Sequence, residues 1–220
     1  MNKKIKNKKF NVWKIENLFY LKSNLSRILK IVCHYEIFKI TKNVKGDILE
    51  FGVFKGNSLI RLISFRNLFK LKRKKVYGFD VFGSFPKQKI KEDNTFAKKH
   101  DLLIGKGYPI TFLKKSLDNK GLKNFELIKG DVLKTLPKFL KNKKKLKISF
   151  LHLDLDVYEP TKFVLNHLFK MVSKNGVILI DDYGQVAGAT KATNEFLKKN
   201  KRLKIKSLKF HSRLKFIVKS

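Results

Sequence analysis

Five times along this chain a short, mostly apolar run stops at an acidic residue or a glycine. The runs are DILEFGVF (47–54), KVYGFD (75–80), FELIKGDV (125–132), KISFLHLD (147–154) and GVILIDDYG (176–184). Helical patterns separate most of them. Short runs of this kind read as strands buried on both faces, and their alternation with helices predicts a mostly parallel sheet covered by helices on both sides. Two terminal segments, LKIKSLKF and RLKFIVKS, read as further strands, which makes seven. Before the first strand, Leu25, Ile28, Leu29, Val32, Tyr35, Ile37 and Phe38 recur at roughly helical spacing, so a leading helix is expected over about 23–41. Asn57 and Ser58 can cap the helix that follows Gly56.

At 220 residues the chain suits one core, so a single domain over 23–220 is expected, preceded by a basic tail over 1–22. The segment 83–121 is polar and lysine-rich, then turn-rich around Gly105, Gly107 and Pro109. It reads as a lid or substrate-recognition insertion with one or two helices. The single cysteine, Cys33, excludes an internal disulfide and a cysteine-based zinc cluster and suits a reducing compartment, so the cytoplasm is expected. The basic N-terminus lacks a small-residue cleavage site, and no window is apolar enough for a transmembrane segment.

The formal net charge is +35, from 52 Lys and Arg against 17 Asp and Glu. Nearly all of the excess is lysine spread over the whole chain, without the interleaved aromatics of an RNA-binding surface. A solvated lysine surface is therefore preferred to a specific nucleic-acid partner, although clefts in such a protein should draw in anionic ligands.

In an open parallel sheet the ligand sits beyond the carboxyl ends of the strands, near the point where strand order reverses. Glu50, Gly52 and Gly56 form E-x-G-x-x-x-G on the first strand and turn, a spacing that lets backbone approach a ligand. A turn of this kind is structural as often as ligand-binding, and it is neither a dinucleotide fingerprint nor a phosphate loop. Asp80 ends the second strand, where an acid commonly takes the hydroxyls of an adenosine ribose. Asp131, after the third, is placed to reach an adenine amino group. The fourth and fifth strands end in Asp154-Leu155-Asp156 and Asp181-Asp182. Neighbouring strands would bring these acids together, and they repel unless a cation joins them. Oxygen ligands suit magnesium or another hard divalent ion.

Three of these segments, taken together, resemble the macrocin O-methyltransferase family, the TylF and MycF group of class I S-adenosylmethionine-dependent methyltransferases. GDILEFGVFKGNS (46–58) is similar to the family's opening strand and glycine loop, and YGFDVFGSFP (77–86) to its D-S-F-E-G-L-P segment. LHLDLDVYEPT, with IDDYG at matching distance, resembles L-H-L-D-G-D-L-Y-E-S-T followed by G-G-x-x-x-x-D-D-Y-G. GATKATNEFL resembles the family's G-A-x-x-A-V-x-x-F helix, so the likeness covers about 44–200. Leu155 stands where the family has Gly, Pro160 where it has Ser, and Val81, Gly83 and Ser84 alter the second motif, changes that touch the acceptor side more than the cofactor side.

The resemblance implies a Rossmann-like class I methyltransferase fold and an O-methyltransferase acting on a hydroxyl of a sugar or glycosylated small-molecule or glycan acceptor. It implies that Glu50, Gly52, Gly56, Asp80 and Asp131 hold S-adenosylmethionine and that Asp154, Asp181 and Asp182 hold magnesium, with Asp156 and Tyr158 lining the acceptor pocket. Asp156 is the first candidate for the base, beside Asp154. His152 shares the strand face of Asp154 but reads more readily as a packed core histidine, and His100 is a third candidate. RNA methylation and a non-catalytic cofactor-binding module are the competing readings, and a homo-oligomer is compatible with all three.

Overall fold

A computed structural model describes residues 11–220. Seven strands form one sheet in the order β3-β2-β1-β4-β5-β7-β6. They are β1 (Asp47–Phe51), β2 (Val76–Asp80), β3 (Phe125–Lys129), β4 (Ile148–Leu153), β5 (Val172–Ile180), β6 (Ile205–Leu208) and β7 (His211–Val218). The first five run parallel, and β7 is antiparallel to both β5 and β6. Chain order reverses between β1 and β4, so the crevice for a ligand opens above the carboxyl ends of those two strands.

Alternation along the central strands sorts the two cores. Leu49, Phe51, Leu151, Leu153, Ile178 and Ile180 face the side covered by α6 (Val132–Lys141), α7 (Tyr158–Leu168) and α8 (Ala187–Lys199). Ile48, Phe150, Val177 and Leu179 face α2 (Leu25–Lys39), α3 (Asn57–Leu68) and α5 (Ile110–Asn119). All six residues of β4 are buried, which explains why its sequence is apolar almost throughout. By the same alternation Glu50 and His152, cross-strand partners in the β1–β4 ladder, point toward α2.

Two expectations need correction, and the expected tail has structure of its own. Residues 12–22 of the expected tail form a helix, α1 (Val12–Lys22), started by Asn11, whose side chain accepts the Lys14 amide at 3.1 Å. The rest of that tail, 1–10, lies outside the described residues. Asn57 and Ser58 do not cap α3 but begin it. The cap is Gly56, whose φ of +85° lets the chain turn sharply from β1 into the helix. On α2 the buried residues are Cys33, His34, Ile37 and Phe38, whereas Val32, read as part of the apolar face, is 45% exposed.

The segment 83–121 contains two helices, α4 (Lys91–Leu103) and α5. Asp93 of α4 is buried and accepts the backbone amide of Tyr158 at 2.8 Å, occupying the free amino end of α7. A Cβ on Gly188 would lie 2.4 Å from Asp93 Oδ1, so that glycine makes room for the acid. Lys89 pairs with Glu159 at 2.8 Å, and Tyr108 N donates to Phe54 O at 3.2 Å. The insertion is thereby tied down over the strand ends at both of its flanks.

Candidate functional site

One cavity runs along the carboxyl ends of β1 to β5. It is floored by Gly52, Asp80, Asp131, Asp154, Asp156 and Asp181 and roofed by Phe85, Lys87, Gln88, His100 and Ile104 of the insertion. Gly52 is forced by geometry. Its φ is +88°, and a Cβ there would stand 1.7 Å from the carbonyl oxygen of Asp154. The β1 turn and the β4 end can close on each other only around a glycine.

At the β2 end, Asp80 accepts the amides of Phe54 at 2.8 Å and Phe82 at 2.5 Å, one on each oxygen. Burial pushes its carboxyl upward, against the pull of these amides. Asp131 caps α6, its Oδ1 accepting Leu133 N at 2.9 Å. Both acids line the cavity in orientations fixed by backbone. Glu50 and Gly56 do not line it. Glu50 is fully buried, with Oε1 3.0 Å from His152 Nδ1, and Gly56 sits under the Leu113 side chain.

At the β4 and β5 ends the acids divide differently from the expected set. Ligand oxygens of Asp154, Asp156 and Asp182 lie within 4.8 Å of one another, and Asp181 is not among them. Alternation past β5 is the reason: Asp181 continues the face of Val177 and Leu179 toward α2, while Asp182 turns to the other side. Asp156 adopts φ +62°, and its amide donates to Asp182 Oδ2 at 3.1 Å, which draws the two acids together.

Burial and the neighbouring carboxylates raise Asp154 and Asp182 well above the usual range, and burial with the charge of Asp181 lifts Asp156 to about 6. Three hard oxygen donors with this much mutual repulsion fit a divalent cation of the magnesium or calcium type.

Asp181 is paired instead with Lys30 of α2 through Oδ2. Burial works against its charge, but the facing His34 and the Lys30 ammonium outweigh it, so its carboxyl lies below the usual range. Burial likewise works against the Lys30 ammonium, and Asp181 and Asp154 reverse this and raise its pKa.

Lys30 and Arg27, both lining the cavity, were missed in the sequence. A signal was present, because Arg27, Lys30, His34 and Ile37 fall on one face of α2 at spacings of three and four.

The remaining candidates separate. His152 is fully buried against Glu50 and does not reach the cavity, which leaves it no access to a substrate proton. His100 lines the cavity, edge-on to Phe54 and Phe85 at 5.4 and 5.2 Å between ring centroids. Tyr158 faces away from the cavity, its hydroxyl donating to Glu195 Oε2 at 2.8 Å.

Comparison with known proteins agrees with this architecture. The family model for macrocin-O-methyltransferase (TylF) matches residues 29–207, reaching upstream of the sequence likeness to take in most of α2. Demethyldecarbamoylnovobiocin O-methyltransferase of Streptomyces niveus is 24% identical over 161 residues. That match covers 71% of this chain but only 60% of the relative's length. Among solved structures, the calicheamicin methyltransferase CalS11 superposes with a TM-score of 0.77 at 21% identity, covering 96% of this chain and 87% of that one. The O-methyltransferase NovP gives 0.75 at 20% identity over 87% of this chain and 79% of its own. The two structures share the class I methyltransferase fold with this chain. With the family model spanning well over half of its length, the chain belongs to the macrocin-O-methyltransferase (TylF) family.

Proposed function

We propose that the protein transfers a methyl group from S-adenosylmethionine to a hydroxyl of a sugar or glycosylated acceptor, assisted by a hard divalent cation. The observation that carries this reading is one cavity with two chemically different ends. Amide-anchored acids line it at the β2 and β3 tips, and Asp154 and Asp156 line it beyond β4, with Asp182 behind them outside the lining. The family supports the reaction class. CalS11, described as a TDP-rhamnose 3'-O-methyltransferase, supports a sugar acceptor.

Asp80 has one lone-pair direction of each oxygen committed to an amide, which fixes its carboxylate to receive the paired hydroxyls of a ribose. Asp131 stands at the next strand end, in reach of an adenine edge. Gly52 lets the cofactor's amino-acid end approach backbone without a side chain between them. When bound, S-adenosylmethionine supplies a methyl group on a sulfonium, and its transfer forms a C–O bond as the C–S bond breaks. A hydroxyl is a poor nucleophile until it loses its proton.

Asp154, Asp156 and Asp182 would hold the cation, which when bound lowers the pKa of a hydroxyl beside it. Asp156 offers one oxygen to this set and keeps a second for the acceptor's proton. That second oxygen stands beside the place where the cation would hold the hydroxyl, which suits Asp156 to the role of base. The insertion excludes water above the reacting atoms, with Phe85 and Ile104 in its roof.

Incubation of the purified chain with radiolabelled S-adenosylmethionine and cell extract, separated into glycan, RNA and small-molecule pools, tests the assignment. Label in glycan or glycosylated small molecules is expected. Label confined to RNA, or none in any pool, would contradict it.

A further inference from the structure

We propose that the protein carries a second cation site, inside the α2 face of the sheet, for a borderline divalent ion of the zinc or ferrous class, with His34, His152 and Asp181 as ligands. One ligand atom from each of these residues lies within 4.8 Å of the others. The two imidazoles are fully buried and Asp181 is 6% exposed.

Each of the three residues has an unsatisfied buried atom. Among the described residues, His34 Nδ1 and Nε2, His152 Nε2 and Asp181 Oδ1 have no hydrogen-bond partner. Buried polar atoms are normally paired, and one orphan from each of three residues in one cluster points to a missing occupant. The two imidazole rings meet edge to face, 5.3 Å between centroids.

The surroundings fit a metal better than a water. His152 Nδ1 lies 3.0 Å from Glu50 Oε1, and since a carboxylate only accepts, the ring proton is on Nδ1 and the inward Nε2 presents a bare lone pair. A carboxylate behind a histidine in this way is the usual outer support of a metal ligand. His34 is fully buried, and neither of its ring nitrogens has a hydrogen-bond partner among the described residues. Asp181 has Oδ2 committed to Lys30, and Oδ1 faces the imidazoles.

His34 Nε2 and Asp181 Oδ1 stand 4.0 Å apart. A tetrahedral zinc site with bonds of about 2.0–2.1 Å needs roughly 3.3 Å between ligands, a closure within reach of side-chain rotation. Two imidazole nitrogens select against magnesium, so this site and the all-oxygen set of Asp154, Asp156 and Asp182 differ in the ion they take.

The test uses the full chain and the metal alone, so its outcome does not depend on which reaction the protein performs. Protein stripped of metal is titrated with cobalt(II) chloride and followed by visible ligand-field absorption. Zinc retained after desalting is counted by elemental analysis. The expected results are about one equivalent of zinc per chain, and a cobalt spectrum abolished by stoichiometric zinc but unchanged by about a hundredfold excess of magnesium. Asp182→Asn should keep both signals, and His34→Gln should lower retained zinc at least about tenfold. Should His34→Gln fail to fold, the wild-type spectrum still decides. No nitrogen-ligated cobalt spectrum, displacement by magnesium, or full zinc retention in a folded His34→Gln protein would each overturn the site and leave buried water as its occupant.

Discussion

The two ends of the cavity are built from the same residue type in opposite ways. At the β2 and β3 tips each aspartate is held by backbone: Asp80 by the amides of Phe54 and Phe82, Asp131 by that of Leu133. At the β4 and β5 tips Asp154, Asp156 and Asp182 face one another, with a single amide among them, and their carboxyls are pushed up by burial and mutual charge. The first end is complete as folded and suits a neutral polar ligand. The second is complete only when positive charge joins it. The Lys30 ammonium supplies part of that charge from the side of α2.

The largest effects should come from the second end. Asp154→Ala or Asp182→Ala should lower turnover by about a thousandfold, since each removes an oxygen from the group proposed to hold the cation and, through it, the acceptor hydroxyl. Binding of the cofactor should stay within about threefold. Equal losses of turnover and of cofactor affinity would erase the distinction between the ends.

Asp80→Ala should act in the opposite sense. Loss of a buried, doubly anchored carboxylate costs about 2 kcal/mol, or roughly thirtyfold in cofactor affinity, with metal binding unaffected. Titration calorimetry of the variant reads both quantities, and unchanged cofactor affinity would remove Asp80 from that end.

Lys30→Met sharpens the contrast further. With the competing ammonium gone, magnesium should bind the acid set about tenfold more tightly, while cofactor affinity holds. Weaker magnesium binding in this variant would mean that Lys30 organises the acids instead of opposing the cation.

The smallest expected effect is on stability. The Asp156 carboxyl, at about 6 in the folded protein, lies above its ordinary value, so ionisation disfavours the fold as pH rises through 6 and protonation relieves the strain below it. Magnesium should therefore raise the melting temperature by several degrees at pH 8 and by less at pH 5, where protons compete for the same oxygens. An equal shift at both pH values would place the cation elsewhere.

The sheet was legible because its strands are buried on both faces and end in turn-forming residues. A run such as KISFLHLD has few other structures open to it. The places of Gly52, Asp80 and Asp131 on the cavity floor were legible for the same reason: all three stand at strand ends. What failed was the direction of side chains just beyond the ladder. Asp181 and Asp182 are adjacent in sequence, yet alternation sends the first toward α2, and only an explicit count from Val177 and Leu179 would have shown it. The resemblance assigns Glu50 to the cofactor, but the β1–β4 register sets it against His152 inside the core. The α2 contributions were hidden differently. Lys30 and His34 lie among apolar residues of a helix far away in sequence, and only packing onto β5 brings them to Asp181.

The central claim is that cofactor binding and cation binding are separate properties of the two ends. Calorimetric titration of S-adenosylhomocysteine into metal-stripped and magnesium-loaded full-length protein, with methyl transfer followed on the same samples, tests it most directly. The account predicts micromolar affinity that differs by no more than about twofold between the samples, with turnover only in the loaded one. A more than tenfold loss of affinity on stripping, or undiminished transfer without metal, would contradict it.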